Sequence, residues 1–269
     1  MVYTPRFNVK YDFNPNSILR LAAGKGFRVA NPIAENVASL ISNRDFVLPN
    51  NLEPEKAWNL GGSFTQYFEV GNRKGAFITD YYYTTFQNQV VPDMYTNPNQ
   101  VQFSNLVGRS FSKSFQAELQ YELTEMLDVK AAYKYFDVKT SYNGQLLQRP
   151  FIPNHRAFVN LGFATPFDKW RADLTAQWFG KRLVPLMEHQ HEGEIRTRSV
   201  SPYAAFNGQI TRAFKRWEVY VGGENLLGYT QKNPILGADQ PFSQHFDVSM
   251  IYAPIIGRVI YAGLRITIK

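Results

Sequence analysis

Four histidines are the side chains here with the widest chemical reach, and two of them, His189 and His191, stand one residue apart. They lie in Met187-Glu188-His189-Gln190-His191-Glu192-Gly193-Glu194. Two imidazoles, neighbouring carboxylates and a thioether form a donor set suited to a transition metal. The same residues suit an ordinary polar loop, because no helical or strand spacing fixes their geometry, and both readings stand. His155 opens an apparent strand beside Arg156 and reads as a rim residue. His245 has only Ser243 near it, a pair that shares one face of a strand but lacks an orienting third group. The sequence holds no Gly-x-Ser-x-Gly elbow, no His-Glu-x-x-His and no phosphate loop. With zero cysteines, disulfides, thiolate metal sites and cysteine nucleophiles are excluded. The expectation is therefore a protein that is not an enzyme and needs no cofactor.

The elements that position these residues are strands. In Phe115-Gln116-Ala117-Glu118-Leu119-Gln120-Tyr121-Glu122-Leu123 apolar and polar residues alternate without a break, and Trp170–Trp178 and Ile260–Ile268 repeat the scheme. Similar runs cover 5–13, 17–27, 57–70, 75–90, 128–139, 155–164, 203–213 and 216–226, giving about eleven strands. Short turns (Asn14–Asn16, Gly71–Lys74, Thr124–Met126, Pro166–Asp168, Lys215–Arg216) alternate with long connections near 28–56, 91–108, 140–154, 181–202 and 227–256. A soluble sandwich has no reason to keep every long loop at one end, whereas an outer-membrane barrel does, with short periplasmic turns and long extracellular loops.

Composition agrees. No run nears the roughly 18 apolar residues of a spanning helix, yet aromatic residues make up 15% of the chain, and many of them sit on or at the ends of these runs, where interfacial girdles lie. The alternate faces carry Glu118, Glu122, Lys130, Lys134, Arg171, Asp173 and Arg265, which suits a wet interior. The net charge of +7 is scattered rather than clustered, so nucleic acid is not an expected partner. The fold expected is all-β: an antiparallel transmembrane β-barrel segment of about eleven strands. Bacterial single-chain barrels have even strand numbers. With Lys269 in the periplasm, counting back makes the first strand run downward too, so the chain reads as a half whose partner is missing. The start, Met1–Arg6, lacks the features of a signal peptide.

Four stretches carry a resemblance. Leu19–Arg28 ends in Gly26-Phe27-Arg28 and is followed by Asn31-Pro32. Leu52-Glu53-Pro54-Glu55 leads to Asn59-Leu60-Gly61. Gly223-Glu224-Asn225-Leu226-Leu227-Gly228 sits atop the penultimate strand, and Gly257-Arg258 precedes the last. In order and spacing these resemble the second half of the barrel of a TonB-dependent outer-membrane receptor, over essentially all of residues 1–269. The ending Ile266-Thr267-Ile268-Lys269 is similar to receptors of the Bacteroidetes group. The resemblance implies about eleven of 22 strands, with the plug domain and the N-terminal barrel half absent. It also implies TonB-driven uptake of a scarce nutrient (siderophore-iron, cobalamin, haem, a metal chelate or a glycan). The implied partners are outer-membrane lipid, the missing half and plug, the TonB complex through that plug, and a small-molecule or metal-chelate ligand. Ligand contacts are expected on the long loops, at Met94, Tyr95, His189, His191 and Arg196, with His189 and His191 as the metal candidates. The alternative is an autonomous small barrel serving as a passive pore or envelope structural protein. It requires Asp247–Tyr252 to pair as a twelfth strand.

Overall fold

In a computed structural model, described for residues 3–97, 99–185, 197–243 and 246–268, most of the chain is strand and almost none of it helix. In chain order the strands are β1 (Arg6–Asn14), β2 (Ser17–Arg28), β3 (Asp45–Val47), β4 (Glu55–Val70), β5 (Arg73–Asn88), β6 (Val90–Asp93), β7 (Gln100–Asn105), β8 (Ser110–Thr124) and β9 (Leu127–Tyr142). They continue with β10 (Gln145–Gln148), β11 (His155–Ala164), β12 (Trp170–Phe179), β13 (Arg182–Pro185), β14 (Thr197–Val200), β15 (Tyr203–Ala213), β16 (Trp217–Glu224) and β17 (Val259–Ile266). One antiparallel sheet runs β1-β2-β4-β5-β8-β9-β11-β12-β15-β16-β17, and β10 extends β9. These eleven path strands are the eleven expected from the alternation. The sheet does not close on itself: β1 and β17 are its edges.

Turn chemistry sets the register at the short ends. Gly71 and Asn72 both take positive φ (58° and 61°) between Val70 and Arg73, the type I′ geometry whose twist matches a tight hairpin. From these turns the pairing runs unbroken for long stretches, so the two faces of the pleat stay separate across the whole sheet. One face presents the row Tyr11–Leu19–Phe64–Thr79–Ala117–Tyr133–Ala157–Trp178–Ala204. The opposite face presents Lys10–Arg20–Ser63–Asp80–Gln116–Lys134–Arg156–Phe179–Tyr203. The apolar face is the exposed one: Phe7, Leu21, Leu60, Leu174, Val221 and Leu264 lie open on it. Such a face is stable only against hydrocarbon, which makes it the lipid-facing side and the charged face the interior. No helix among the described residues is long and apolar enough to cross a membrane; the strands do the crossing.

The close-packed core lies elsewhere. β4, β5, β8 and β9 run 15–16 residues, beyond the roughly 9–11 a tilted strand needs to span. Their upper ends carry a layer built from the long connections. There β3, β7 and β6 form a small sheet of their own, and β13 pairs with β14. Val90, Val101 and Phe103 are buried together, with Phe46, Leu52 and Met94 packed on them. A second cluster joins Val91, Tyr95 and Tyr142.

The twelfth strand required by the closed-pore alternative does not form. Residues 247–252 are described and contain no strand. Asp247 makes only isolated bridges, to Ser42 and Leu236. Pro254 shortly after cannot donate to a ladder, and Asp247 turns its carboxylate back onto the Ser249 backbone N–H (2.7 Å) instead of extending.

Candidate functional site

The interior face carries its charge in compensated groups. Lys130 pairs with Glu118 at 2.9 Å. Near the short-turn end Glu218 accepts from both Arg171 and Arg265. Asn160, on the row of Lys130, donates to Thr175 Oγ1 at 2.9 Å. Pairing of this kind keeps a wet wall folded without presenting a single strong field to solute.

Toward the extracellular end the interior rows change character. Phe179 and Tyr203, partners across β12 and β15, stack at 4.9 Å, and Tyr229 from the last long connection stacks on Tyr203 at 4.9 Å with planes 6° apart. Arg182, just past the end of β12, lies 5.2 Å from the Tyr203 ring centroid and 5.8 Å from those of Phe179 and Tyr252. Its Nη1 donates to the Tyr252 carbonyl at 2.7 Å, while Nε and Nη2 are buried with no hydrogen-bond partner among the described residues. Arg156 covers the other part of Phe179 at 5.6 Å. Burial pushes the Tyr229 phenol above its ordinary range, and the neighbouring Tyr252 and Tyr203 phenols add to the effect. Cations on aromatic faces are held partly by the ring quadrupole; Arg182 is buried beneath the rings, whereas Arg156 is exposed and keeps its N–H groups open to acceptors. Chemically this is a cationic, aromatic surface facing inward at the mouth, matched to flat or anionic groups.

Asn225 positions it. In the left-handed conformation (φ 47°) at the top of β16, it donates to the carbonyls of Tyr229 (2.7 Å) and Ile256 (3.1 Å) and accepts from the Tyr229 N–H (3.1 Å). The other motif residues also find partners. Arg28 of Gly-Phe-Arg faces Glu55 of Leu-x-Pro-Glu across β2 and β4, at 2.5 Å for Nη2 and 2.7 Å for Nε. Glu55 also accepts the Val90 N–H at 3.1 Å, which joins the wall to the layer above it.

That layer is locked across its width. Arg44 and Asp247, 4% and 8% exposed at their side chains, pair at 2.6 Å and bring the first long connection against the last. Arg44 also donates to Ser249 Oγ (3.0 Å) and to Met94 Sδ (3.5 Å). Burial drives its pKa below the usual guanidinium range, with Asp247 opposing.

Of the expected site residues, Met94 and Tyr95 come together in this layer. Met94 packs on the Val90 cluster, and Tyr95, 1% exposed, sets its ring edge-on to Tyr142 at 4.9 Å. His189, His191 and Arg196 lie outside the described residues, as does His245. His155 is exposed on the lipid-facing side at the upper rim, its Nδ1 2.6 Å from the Tyr133 hydroxyl. Among the described residues no group of three or more His, Cys, Asp or Glu is arranged for a metal ion. Sequence reasoning missed Arg182, Tyr203 and Tyr229. The pairing of Phe179 with Tyr203 was readable in principle from the strand register, whereas the approach of Arg182 and Tyr229 depends on the folding of long connections.

An open antiparallel sheet with a lipid-facing apolar side, a charged interior and a packed extracellular layer defines the wall of an outer-membrane β-barrel. Residues 1–226 match the family described as TonB dependent receptor-like, beta-barrel, and the chain belongs to that family. Its place is accordingly the bacterial outer membrane, and the family is one of receptors rather than enzymes. Among solved structures, the pyoverdine outer membrane receptor FpvA from Pseudomonas aeruginosa is similar over 98% of this chain and 36% of its own, with 14% identity and a TM-score of 0.64. The FrpB iron transporter from Neisseria meningitidis matches over 97% and 38%, at 11% identity and a TM-score of 0.64. The siderophore receptor PiuA from Acinetobacter baumannii matches over 96% and 34%, at 15% identity and a TM-score of 0.60. The chain thus spans about a third of the length of these receptors. No curated protein matches the sequence.

Proposed function

We propose that the chain forms the C-terminal part of the barrel of a TonB-dependent receptor that imports an iron–siderophore or a related metal chelate. The observation that carries this reading is the inward surface of Arg156, Phe179, Tyr203 and Tyr229 at the extracellular mouth, with Arg182 buried behind the rings. Ferric catecholates present negative charge and ring planes, and ferric hydroxamates present delocalised planes at a neutral centre; a guanidinium over stacked aromatics complements both features. The solved structures it resembles include a siderophore receptor and an iron transporter, which supports iron over the other nutrients. On this reading the open edges β1 and β17 pair with the strands of an N-terminal half, since unpaired edges in hydrocarbon cost several kcal/mol per polar group. A plug fills the polar interior and passes the TonB signal, and His189, His191 and Arg196 are ligand contacts, as are Met94 and Tyr95 of the extracellular layer.

The test is uptake of radiolabelled iron, supplied as ferric siderophores of catecholate and hydroxamate type, by cells with and without the intact gene. Loss of uptake of one chelate on deletion, restored by the wild-type gene and reduced at least about tenfold for Arg182→Ala, is the expected result. Unchanged uptake of every chelate on deletion would sink the proposal. The metal role of His189 and His191 is tested separately, by titrating the folded protein with metal ions; matching isotherms for wild type and His189→Ala/His191→Ala remove it.

A further inference from the structure

Where cations of the interior face stand close together, a carboxylate usually joins them. Arg171 and Arg265 share Glu218. Lys10 faces Arg20 across β1 and β2, and Asp12 meets Lys10 at 2.8 Å. Lys134 on β9 and Arg156 on β11 depart from this pattern. They stand directly opposite each other on the inward face, and among the described residues neither makes an ion pair. Glu118, on a neighbouring row, is taken by Lys130 at 2.9 Å. Asp80, the carboxylate on their own row, lies beyond Gln116, two strand spacings from Lys134 or about 10 Å.

Like charges set opposite each other across two strands are destabilising, yet the wall keeps this pair without the carboxylate that would relieve it. Its surroundings hold both cations in place and leave them charged. Lys134 Nζ lies 5.1 Å from the Phe136 ring centroid, and Arg156 Cζ lies 5.6 Å from that of Phe179. A ring face steadies a cation without neutralising it. One row toward the short turns the wall is hollowed into a concavity of about 230 Å³, floored by Ala132 and flanked by Phe158, Gln116 and Gln177. That is less than the ~300–1,000 Å³ of pockets that enclose a whole ligand, so it suits one arm of one. Along its own row the pair runs on through Phe179 to Tyr203. The concavity therefore opens beside the aromatic stack at the mouth.

We propose that Lys134 and Arg156 are the charge-selecting contact of the ligand site: they grip one anionic arm of the incoming chelate, a catecholate or carboxylate group, and disfavour chelates of zero net charge. The inference rests on the reading of the chain as part of an iron-chelate importer and narrows that reading. An ammonium beside a guanidinium offers several donors to one pair of oxygens, and charge-assisted hydrogen bonds are the strong ones. An anionic arm supplies the countercharge that the wall withholds. A neutral chelate leaves the two cations opposed and gains only the stacking.

The test is calorimetric titration of the receptor, purified from outer membranes in neutral detergent, with two probes: an anionic iron(III) tris-catecholate and a neutral iron(III) trihydroxamate. Lys134→Gln/Arg156→Gln should weaken the anionic complex roughly tenfold or more and leave the neutral one unchanged. The wild-type preference for the anion should shrink as salt is raised. Lys134→Arg/Arg156→Lys, which keeps both charges, should keep the preference, as should Arg6→Gln/Arg20→Gln, which removes two inward cations from distant strands. Without ligand, the Lys134→Gln/Arg156→Gln protein should resist urea at least as well as wild type, because an opposed pair has been removed. A loss of stability would make the two cations structural and overturn the proposal. So would tighter wild-type binding of the neutral chelate, or an equal effect of the variant on both chelates; in either case the import reading stands. Binding of neither chelate would sink the import reading itself and this refinement with it. If the double variant does not fold, Lys134→Gln and Arg156→Gln singly carry the test, and full retention of the preference by both refutes the site.

Discussion

The wall and the layer above it solve opposite solvent problems with one chain. In the wall, Leu174 and Phe77 are 44% and 40% exposed and the polar residues face inward. In the layer, Phe103 and Tyr95 are each 1% exposed, and the buried Arg44 and Asp247 are paired. The wall is held by backbone ladders and a hydrocarbon solvent; the layer is held by packing, as in a water-soluble domain. An exposed apolar residue therefore means correct folding in one region and a defect in the other.

The sharpest way to break this contrast is one kind of truncation in both regions. Phe103→Ala should destabilise the layer by about 3–5 kcal/mol, since it leaves a cavity in a packed core. Phe77→Ala should cost under about 1 kcal/mol, because lipid tails fill the gap. Hydrogen exchange of residues 29–54 and 90–106 against that of β8 and β9 reads the two apart, and equal effects would dissolve the distinction. Asp247→Ala should open the layer by a comparable amount, about 3–5 kcal/mol, because the Arg44 charge loses its buried carboxylate. Protease cleavage between 29 and 54 should then rise while heat-modifiable mobility persists.

Charge placed in the wall sharpens the contrast from the other side. Leu174→Arg, facing lipid, should cost about 2–4 kcal/mol, whereas Thr175→Arg, facing the interior, should be tolerated. Urea unfolding in lipid vesicles reports both, and a similar penalty for the two would reverse the assignment of faces.

The smallest effect is one of pH. Burial raises the Tyr95 phenol well above its ordinary value of 10, with Tyr142 and Asp93 adding to it. A folded-state pKa above the unfolded one gives stability that is whole below pH 10 and falls as pH climbs beyond it. The layer should therefore loosen in alkali before the wall does. Tyr95→Phe should weaken that dependence, leaving the share of Tyr142, which burial also raises, and, because the hydroxyl is buried without a partner among the described residues, stabilise the layer by up to about 1 kcal/mol. Alkaline titration followed by hydrogen exchange checks both.

The wall was legible because its signal repeats: the alternation in Phe115–Leu123 and the Gly71-Asn72 turn each specify local geometry and agree with every neighbour. The resemblance motifs were legible as strings, but their physics was not. That Arg28 meets Glu55, or that Asn225 pins Tyr229, follows from strand pairing and a positive φ that no single segment announces. The layer was least legible. Met94, Tyr95 and the long connections read as exposed ligand loops, and nothing in their composition distinguishes a residue packed against Val90 or Tyr142 from one facing water. Arg182 follows one lysine in a mixed stretch, Gly180-Lys181-Arg182-Leu183, that announces nothing; only the convergence of β12, β15 and the last connection gives it aromatic surroundings.

The Arg44–Asp247 pair joins residues 203 positions apart. Closing so long a loop carries an entropic cost that is met only once the intervening strands already hold the two ends near each other. The contact, with the neighbouring Arg44–Ser249 bond, therefore belongs to the last stage of assembly and is among the longest-range polar contacts of the described residues. A chain stopped short of residue 247 would lack β17 as well as this contact, so neither the wall nor the outer layer would be complete. The outward-facing surface of this protein is in that sense a record of finished synthesis, displayed where antibodies and phage first meet the cell.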